Sequence, residues 1–346
     1  MSAGSEGVET QGSSGRPLGV AALTVLFSVV ILIVAIAAFG SAEDGDPVVS
    51  LELPPPAQGE QTAPLPAFGQ ASRSVAGNLV SDLALVEETP DGPVPKIGED
   101  GRTVMQAYAR AFTAPAGLPR IAIVVTGLGI GANATTAALT RLPPDIAVSF
   151  VPFVPDLQRM VDEARARGHE VLLEVPMEPF DFPNSDPGPN VLMVGASGEE
   201  NAKRLNWALS RSTGYVGIAN LLGGRFLGEN GAIEPVLAIL ARRGILFFDT
   251  GIYSNSVAAT AARRAGTVSA AGVVALDMTQ TPGAIDSRLA ELEDRAREGG
   301  FAVGTASVYP VTIDRIVEWT AGLQARGFVL APLTAVASDP EYQARR

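Results

Sequence analysis

The sequence predicts an α/β fold, a (β/α) barrel of seven or eight strands, and three observations support this prediction. Short apolar runs of strand length alternate with amphipathic helical patterns across residues 118–337. Most of these helical patterns end in glycine immediately before the next apolar run. The length of the repeating region suits a single barrel domain.

Eight runs have the apolar character of buried strands, and helical patterns separate most of them. The predicted strands cover residues 121–125, 146–151, 171–175, 215–220, 245–249, 273–277, 301–305 and 328–331. The predicted helices cover residues 157–167, 199–211, 233–243, 256–264, 285–297 and 313–326. Glycine 168, 244, 266, 300 and 327 follow helical patterns, where a left-handed C-cap leads into the next strand.

An apolar segment without charge covers residues 18–39 near the start of the chain. Because about 20 such residues cross a bilayer as a helix, residues 18–40 are predicted to form a transmembrane anchor. Arg16 before the segment and Glu43, Asp44 and Asp46 after it favour a cytoplasmic tail at residues 1–17. A cleaved signal peptide is the alternative, since residues 38–42 are small, but the run exceeds the 7 to 15 residues usual for such peptides.

Residues 41–117 are rich in proline, glycine and acidic residues, a composition that predicts a linker between membrane and barrel. One helix-like piece at residues 104–111 is expected to lie near the barrel domain. The barrel is assigned to residues 118–337, and residues 338–346 form a short tail.

The composition excludes several functional classes. A net charge of −12 leaves no basic surface for nucleic acid. The absence of cysteine excludes disulfides, thiolate metal sites and cysteine nucleophiles. The only histidine, His169, stands where a helix leads into a strand, so it is expected on the face opposite the barrel mouth.

Functional residues of such barrels lie at the carboxyl ends of the strands. The predicted ends are Thr126, Gly127, Pro152, Glu174, Asn220, Asp249, Asp277, Ser307 and Thr334. Together they predict a polar cleft for a small or linear ligand, in which Glu174 and Asp249 are the reactive pair. These carboxylates would act as acid and base, in the manner of a glycosidase, if they stand roughly 5 to 9.5 Å apart. The alternative is that they cap helices or face water.

Six ordered motifs carry a family resemblance. They are IAIVVTGLG (121–129), GHEVLLEVPMEP (168–179), DPGP (186–189), YVGIANLLGG (215–224), FFDT (247–250) and SNSVA (254–258). With these motifs the chain resembles the divergent polysaccharide deacetylase family of bacterial envelope proteins. The resemblance implies a NodB-like deacetylase barrel and a role in carbohydrate metabolism in the bacterial envelope. Together with the predicted anchor, it implies a location in the bacterial inner membrane with a periplasmic barrel.

The resemblance also implies amide hydrolysis assisted by a divalent metal such as zinc. Several positions that would carry this reaction are changed. Thr126 and Gly127 replace a family Asp-Asp pair, and Glu174, Leu221 and Ser307 stand where the family has histidines. Asp249, Asp277 and Tyr309 still fit the family pattern. We therefore predict no metal site and no bound cofactor.

The sequence thus predicts a membrane-anchored, catalytically degenerate protein that binds an envelope glycan, such as a cell-wall polysaccharide, or an envelope protein partner. The predicted ligand-binding residues are Thr126, Glu174, Glu178, Asn220, Asp249, Asp277, Ser307 and Tyr309. Two alternatives remain: an active hydrolase or deacetylase that uses Glu174 and Asp249, and a purely structural scaffold of the envelope.

Overall fold

The computed structural model describes residues 82–345. The predicted cytoplasmic tail, the membrane anchor and the linker up to residue 81 lie outside these described residues. No helix between Asp82 and Arg345 has both the length and the apolar character that a bilayer crossing requires.

The described chain contains two sheets surrounded by helices. The strands are β1 (Val86–Thr89), β2 (Gly92–Pro95), β3 (Arg120–Leu128), β4 (Ala147–Phe150), β5 (Val171–Met177), β6 (Gly217–Leu222), β7 (Leu246–Asp249), β8 (Ser269–Ala271), β9 (Val274–Ala275), β10 (Phe301–Ser307) and β11 (Val329–Leu330). The α-helices are α1 (Val104–Tyr108), α2 (Ala132–Arg141), α3 (Leu157–Ala166), α4 (Gly198–Leu209), α5 (Asn230–Arg243), α6 (Ala258–Ala265), α7 (Pro282–Gly299), α8 (Pro310–Ala321), α9 (Leu333–Ala337) and α10 (Pro340–Ala344).

Strands β3 to β11 form one parallel sheet in the order β8-β7-β6-β5-β4-β3-β10-β9, with β11 on β3. All of its strand pairs are parallel, so the predicted α/β class with alternating strands and helices is confirmed. The residues at 121–125 in β3 are fully buried. Burial on both faces is expected, because helices cover a parallel sheet.

The prediction of one strand at residues 273–277 is wrong. Two short strands stand there instead: β8 pairs with β7, and β9 pairs with β10 at the other end of the strand order. Gly272 stands between β8 and β9, where the chain passes from pairing with β7 to pairing with β10. The N–H of Gly272 donates to the carbonyl of Asp249 at 2.9 Å. A Cβ at Gly272 would lie 2.3 Å from Oγ1 of Thr305, so the neighbouring strand approaches too closely for a side chain.

The last strand is shorter than predicted, and this changes the place of Thr334. Strand β11 pairs only with Arg120 and Ile121 at the beginning of β3, and the chain turns into α9 after Pro332. The N–H of Thr334 then donates to Glu170, which immediately precedes β5, at 3.0 Å. Thr334 therefore lies at the amino end of the strands, so its expected place at the mouth is wrong.

Residues 82–117, which the sequence places at the end of the linker, contain ordered structure. Strands β1 and β2 pair as an antiparallel hairpin, and α1 begins with a capping box formed by Thr103 and Gln106. Leu85, Val94 and Val104 are buried in the same hydrophobic cluster as the parallel sheet.

The predicted glycine C-caps are present. Gly244, Gly266, Gly300 and Gly327 have φ angles of 65°, 72°, 78° and 87° and end α5, α6, α7 and a short 3₁₀ turn. A residue with a side chain adopts this left-handed region at a cost, which explains why glycine stands at these helix ends.

Candidate functional site

The predicted site residues other than Thr334 lie within or just after the strands, toward their carboxyl ends. Thr126, Asn220, Asp249 and Ser307 belong to the last three residues of their strands, and Glu174 is the central residue of β5. Glu178, Asp277 and Tyr309 follow β5, β9 and β10 by one or two residues. Because the strands are parallel, these positions share one end of the sheet, which we call the mouth.

Glu174 is a buried carboxyl group tied to the first strand of the parallel sheet. It is 2% exposed, and its Oε1 accepts a 2.6 Å hydrogen bond from the N–H of Gly127. Burial raises the pKa of Glu174 to about 7, and the hydrogen bond from Gly127 offsets part of this effect. The hydrogen bond links β5 to β3 across β4, and the raised pKa of Glu174 lies near neutral pH.

Asp249 uses both of its carboxylate oxygens within its own loop. Oδ1 accepts the N–H of Gly251 at 2.9 Å, and Oδ2 accepts the hydroxyl of Ser256 at 2.6 Å. This arrangement stabilises the turn between β7 and α6. Asp249 therefore makes its hydrogen bonds within its own loop, whereas Glu174 makes its hydrogen bond to strand β3.

Asn220 supports the same β7 loop from the neighbouring strand. Its Oδ1 accepts the N–H of Thr250 at 2.8 Å, and its Nδ2 donates to Oγ1 of Thr250 at 3.0 Å and to the carbonyl of Leu222 at 2.7 Å. The amide is 3% exposed, so its polar atoms are committed to holding β6 and the β7 loop together.

Asp277 performs a similar function for the β10 loop. Its Oδ2 accepts the N–H of Ser307 at 2.7 Å and the hydroxyl of Thr312 at 2.9 Å. Burial raises the pKa of Asp277, and these two hydrogen bonds oppose the shift. On the adjoining strand, Thr126 donates its hydroxyl to the carbonyl of Ala306 at 3.1 Å.

Glu178 is paired with an arginine that the sequence analysis did not include in the site. Nη1 of Arg225 lies 2.6 Å from Oε1 of Glu178, and Oε2 of Glu178 accepts the N–H of Val194 at 2.7 Å. The glutamate side chain is 3% exposed, whereas that of Arg225 is 55% exposed. The pair joins the β5 and β6 loops, and no local sequence signal links residues 47 positions apart.

Exposed apolar side chains surround the mouth. Of the nine large hydrophobic side chains that are exposed between Asp82 and Arg345, six lie in loops that lead from a strand of the parallel sheet into the next helix. They are Ile130, Phe153, Phe180, Ile252, Met278 and Tyr309. Because these six side chains share one end of the sheet, this end is a candidate binding surface. The sequence analysis missed it, because it does not show which loop side chains stay exposed.

One of these exposed side chains, Phe180, packs against a second aromatic ring. Phe180 and Tyr253 meet edge to face with centroids 6.2 Å apart. A Cβ on Gly224 would lie 2.5 Å from the ring of Phe180 and 2.8 Å from that of Tyr253. The glycine between the β6 strand and Arg225 is therefore required for the rings to pack this closely over the loop.

The residues of the mouth do not fit the divalent metal that the family resemblance implies. Across residues 82–345, no three histidine, cysteine, aspartate or glutamate side chains come together to hold a metal ion. Gly127 and Leu221 contribute no donor side chain, and Asp249 and Asp277 accept hydrogen bonds within their own loops. A zinc site requires three or four convergent donors, which this set does not supply.

His169 lies at the opposite end of the sheet, just before β5. Its Nδ1 is 2.9 Å from the carbonyl oxygen of Ile146, and burial lowers its pKa. The ring is 4% exposed and takes no part in the mouth.

A family model matches most of the parallel sheet and its helices, and two relatives match by sequence. Residues 123–337 match the divergent polysaccharide deacetylase family. Uncharacterized protein YibQ of Escherichia coli (strain K12) is 26% identical over 203 residues, which cover 59% of this chain and 63% of that protein. An uncharacterized protein of Haemophilus influenzae is 24% identical over 194 residues, 56% of this chain and 68% of that protein. This chain thus spans less than two thirds of the E. coli relative.

A solved structure shows the same fold at higher identity. The crystal structure of an uncharacterized protein from Agrobacterium tumefaciens C58 is 37% identical and superimposes with a TM-score of 0.69. The match covers 70% of this chain and 99% of that chain.

Proposed function

This chain belongs to the divergent polysaccharide deacetylase family, and on that premise we propose that it is a catalytically degenerate member whose mouth binds an envelope glycan without deacetylating it. One observation carries the proposal. The carboxylates of the mouth hold loops together, and the outer surface of the same mouth presents aromatic and aliphatic side chains.

The arrangement of the carboxylates supports the loss of deacetylation. Metal-assisted hydrolysis needs an ion held by several ligands and a base that reaches the attacking water. Asp249 and Asp277 accept two hydrogen bonds each from neighbouring backbone and hydroxyl groups. Glu174 remains as a single buried carboxyl group, and Gly127 and Leu221 have no side chain that could ligate a metal ion beside it.

The exposed aromatic pair supports glycan binding. Pyranose rings have apolar C–H faces that pack on aromatic rings, while their hydroxyl groups remain available for hydrogen bonds. Phe180 is 64% exposed beside Tyr253, and Gly224, which lies close to both rings, is followed directly by Arg225. The aromatic pair would stack a sugar ring and Arg225 would donate to its oxygens.

The proposal includes a location. The uncharged run at residues 18–39 would anchor the chain in the bacterial inner membrane, with its N-terminus in the cytoplasm and the barrel in the periplasm. There the mouth would meet cell-wall polysaccharide or an envelope protein that carries it.

A second candidate function is supported by Glu174 alone. A carboxyl group with a pKa of about 7 suits general acid–base catalysis. An active carbohydrate hydrolase would need Asp249 as its partner, but both oxygens of Asp249 stabilise the β7 loop. We therefore favour binding.

An assay of acetate release distinguishes the two candidate functions, glycan binding and carbohydrate hydrolysis. The full chain in neutral detergent is incubated at pH 7 with N-acetylated cell-wall glycan strands, with added zinc or with a chelator, and free acetate and new reducing ends are measured. The proposal predicts that neither free acetate nor new reducing ends exceed the amount formed in a sample without protein. Acetate release that the chelator abolishes would overturn it. Reducing ends that disappear in Glu174→Gln would establish the hydrolase instead.

A further inference from the structure

A cavity lies at the end of the sheet opposite the mouth, between the β1–β2 hairpin and helices α4 and α5. Its volume is about 320 Å³, within the range of small-ligand sites. Its lining residues are Glu87, Lys96, Asn206, Ile239, Arg242 and Arg243. Arg243 is the last residue of α5, only three positions before β7, and this places the cavity at the amino ends of the strands.

The cavity is electropositive in a chain with a net charge of −12. Nη1 of Arg243 donates to Oε2 of Glu87 at 3.0 Å and to the carbonyl of Pro95 at 2.8 Å, so this carboxylate is already neutralised. Lys96 and Arg242 face the same cavity, and within residues 82–345 neither has an acidic partner within ion-pair distance. Two cations thus remain to attract an anion.

The wall of the cavity also contains an unpaired polar atom. Oδ1 of Asn206 is shielded from solvent and has no hydrogen-bond partner among the described residues. An acceptor left in this state is costly, and buried acceptors in proteins are nearly always satisfied. Rotation about χ2, a broad torsion in asparagine, would bring this oxygen to the cavity surface, where a ligand hydroxyl group would satisfy it.

We propose that this cavity binds a polyol phosphate. Lys96 and Arg242 would hold the phosphate, since tetrahedral oxyanions accept several charge-assisted hydrogen bonds. Asn206 would accept a hydrogen bond from a ligand hydroxyl, and Ile239 would pack against the carbon chain. The ligand is either a soluble sugar or glycerol phosphate or the headgroup of an anionic phospholipid, because both present this chemistry.

Soluble phosphates provide the first test. The full chain in neutral detergent is titrated calorimetrically with glycerol 3-phosphate and with inorganic phosphate. Lys96→Gln and Arg242→Gln should each raise the Kd about tenfold, since each removes a charge-assisted contact. Arg159→Gln is the matched control, because Arg159 lies exposed on α3 and its loss changes the net charge equally. A control that weakens binding as much as the cavity variants would overturn the proposal.

The proposed role of the Asn206 side-chain amide is tested by the variant Asn206→Leu. This substitution removes the unpaired oxygen and keeps the side-chain size. This variant should bind glycerol 3-phosphate more weakly but inorganic phosphate as well as the parent, because only glycerol 3-phosphate carries alcohol hydroxyl groups on a carbon chain. Its thermal stability should not fall, since an unsatisfied acceptor is removed. Equal weakening toward both ligands would contradict the assigned role of Asn206.

The source of the ligand is distinguished in nanodiscs. The full chain is reconstituted with phosphatidylcholine alone or with phosphatidylglycerol added, and amide exchange of the β1–β2 hairpin is measured. Slower exchange with phosphatidylglycerol that is lost in Lys96→Gln/Arg242→Gln identifies a lipid headgroup. Binding of soluble glycerol 3-phosphate without this protection identifies a free phosphate. No binding of millimolar phosphates and no protection of the hairpin would overturn the proposal.

Discussion

The carboxyl group of Glu174 on β5 accepts a 2.6 Å hydrogen bond from the backbone N–H of Gly127 on β3. These two residues stand where the family resemblance implies a histidine and an aspartate of a metal site. In this chain the two strands are instead joined by one buried carboxyl group with a pKa of about 7. The hydrogen bond holds the mouth together without a metal ligand set.

Replacing Glu174 with glutamine should change how stability depends on pH. The pKa of Glu174 rises from 4.5 in a model peptide to about 7 in the fold. Between these values the folded chain binds more protons than the unfolded chain, so the Glu174 contribution falls as pH rises from 4.5 to 7. Glu174→Gln should match the parent near pH 4.5 and exceed its stability at pH 8 by up to about 3 kcal/mol.

Chemical denaturation at several pH values measures this difference. Glu88→Gln is the control, since Glu88 is exposed on the hairpin. Parent and Glu174→Gln curves that stay parallel from pH 4.5 to 8 would show that Glu174 does not titrate in this way.

Arg225→Gln should destabilise the fold by about 1 to 2 kcal/mol, because it leaves the buried Glu178 carboxylate without its cation. The exposure of Arg225 lets water replace part of the lost interaction. A double-mutant cycle with Glu178→Gln measures the coupling. Arg159→Gln removes an exposed helical pair and should cost less than about 0.5 kcal/mol. A cost for Arg225→Gln no larger than that would refute a structural role for the pair.

The hydroxyl group of Thr334 should contribute to the stability of the fold. Buried Glu170 accepts hydrogen bonds from the hydroxyl and N–H of Thr334 and from the N–H of Arg110 at 3.0 Å. Thr334→Val removes one of these donors and should cost about 1 to 3 kcal/mol, whereas Thr334→Ser keeps the hydroxyl and should cost less than about 1 kcal/mol. Thermal unfolding measures the stabilities of the two variants. Equal stability of Thr334→Val and Thr334→Ser would contradict the role assigned to the hydroxyl group.

The regular part of the fold could be predicted because local chemistry determines it. Gly244 and Gly300 follow long helical patterns, and both adopt the left-handed cap that their positions predict. Helix α2 was not predicted, since its sequence ANATTAALTR has too few large apolar residues for a clear pattern. The β1–β2 hairpin was not predicted either, because Pro93 and Pro95 are typical of linkers, and only an isolated ladder accommodates them.

The site was only partly predictable. Parallel strands bring Glu174, Asn220 and Asp249 to one end of the sheet, and the order of elements predicts this. Whether a carboxylate faces a ligand or stabilises its own loop depends on contacts such as Ser256 with Asp249. The pairing of Arg225 with Glu178 likewise arises only when two loops meet in space.

The central claim, that the mouth binds glycan through its exposed aromatic surface, is tested most directly by one binding comparison. The full chain and its Phe180→Ala variant are titrated with isolated cell-wall glycan strands, and Leu83→Ala is the control. Leu83 is 80% exposed beside the hairpin, whereas Phe180 is 64% exposed at the mouth. Our account predicts that Phe180→Ala weakens binding about tenfold or more, since it removes a stacking surface. Leu83→Ala should bind as the parent does, and glycan binding equal in all three proteins would contradict the account.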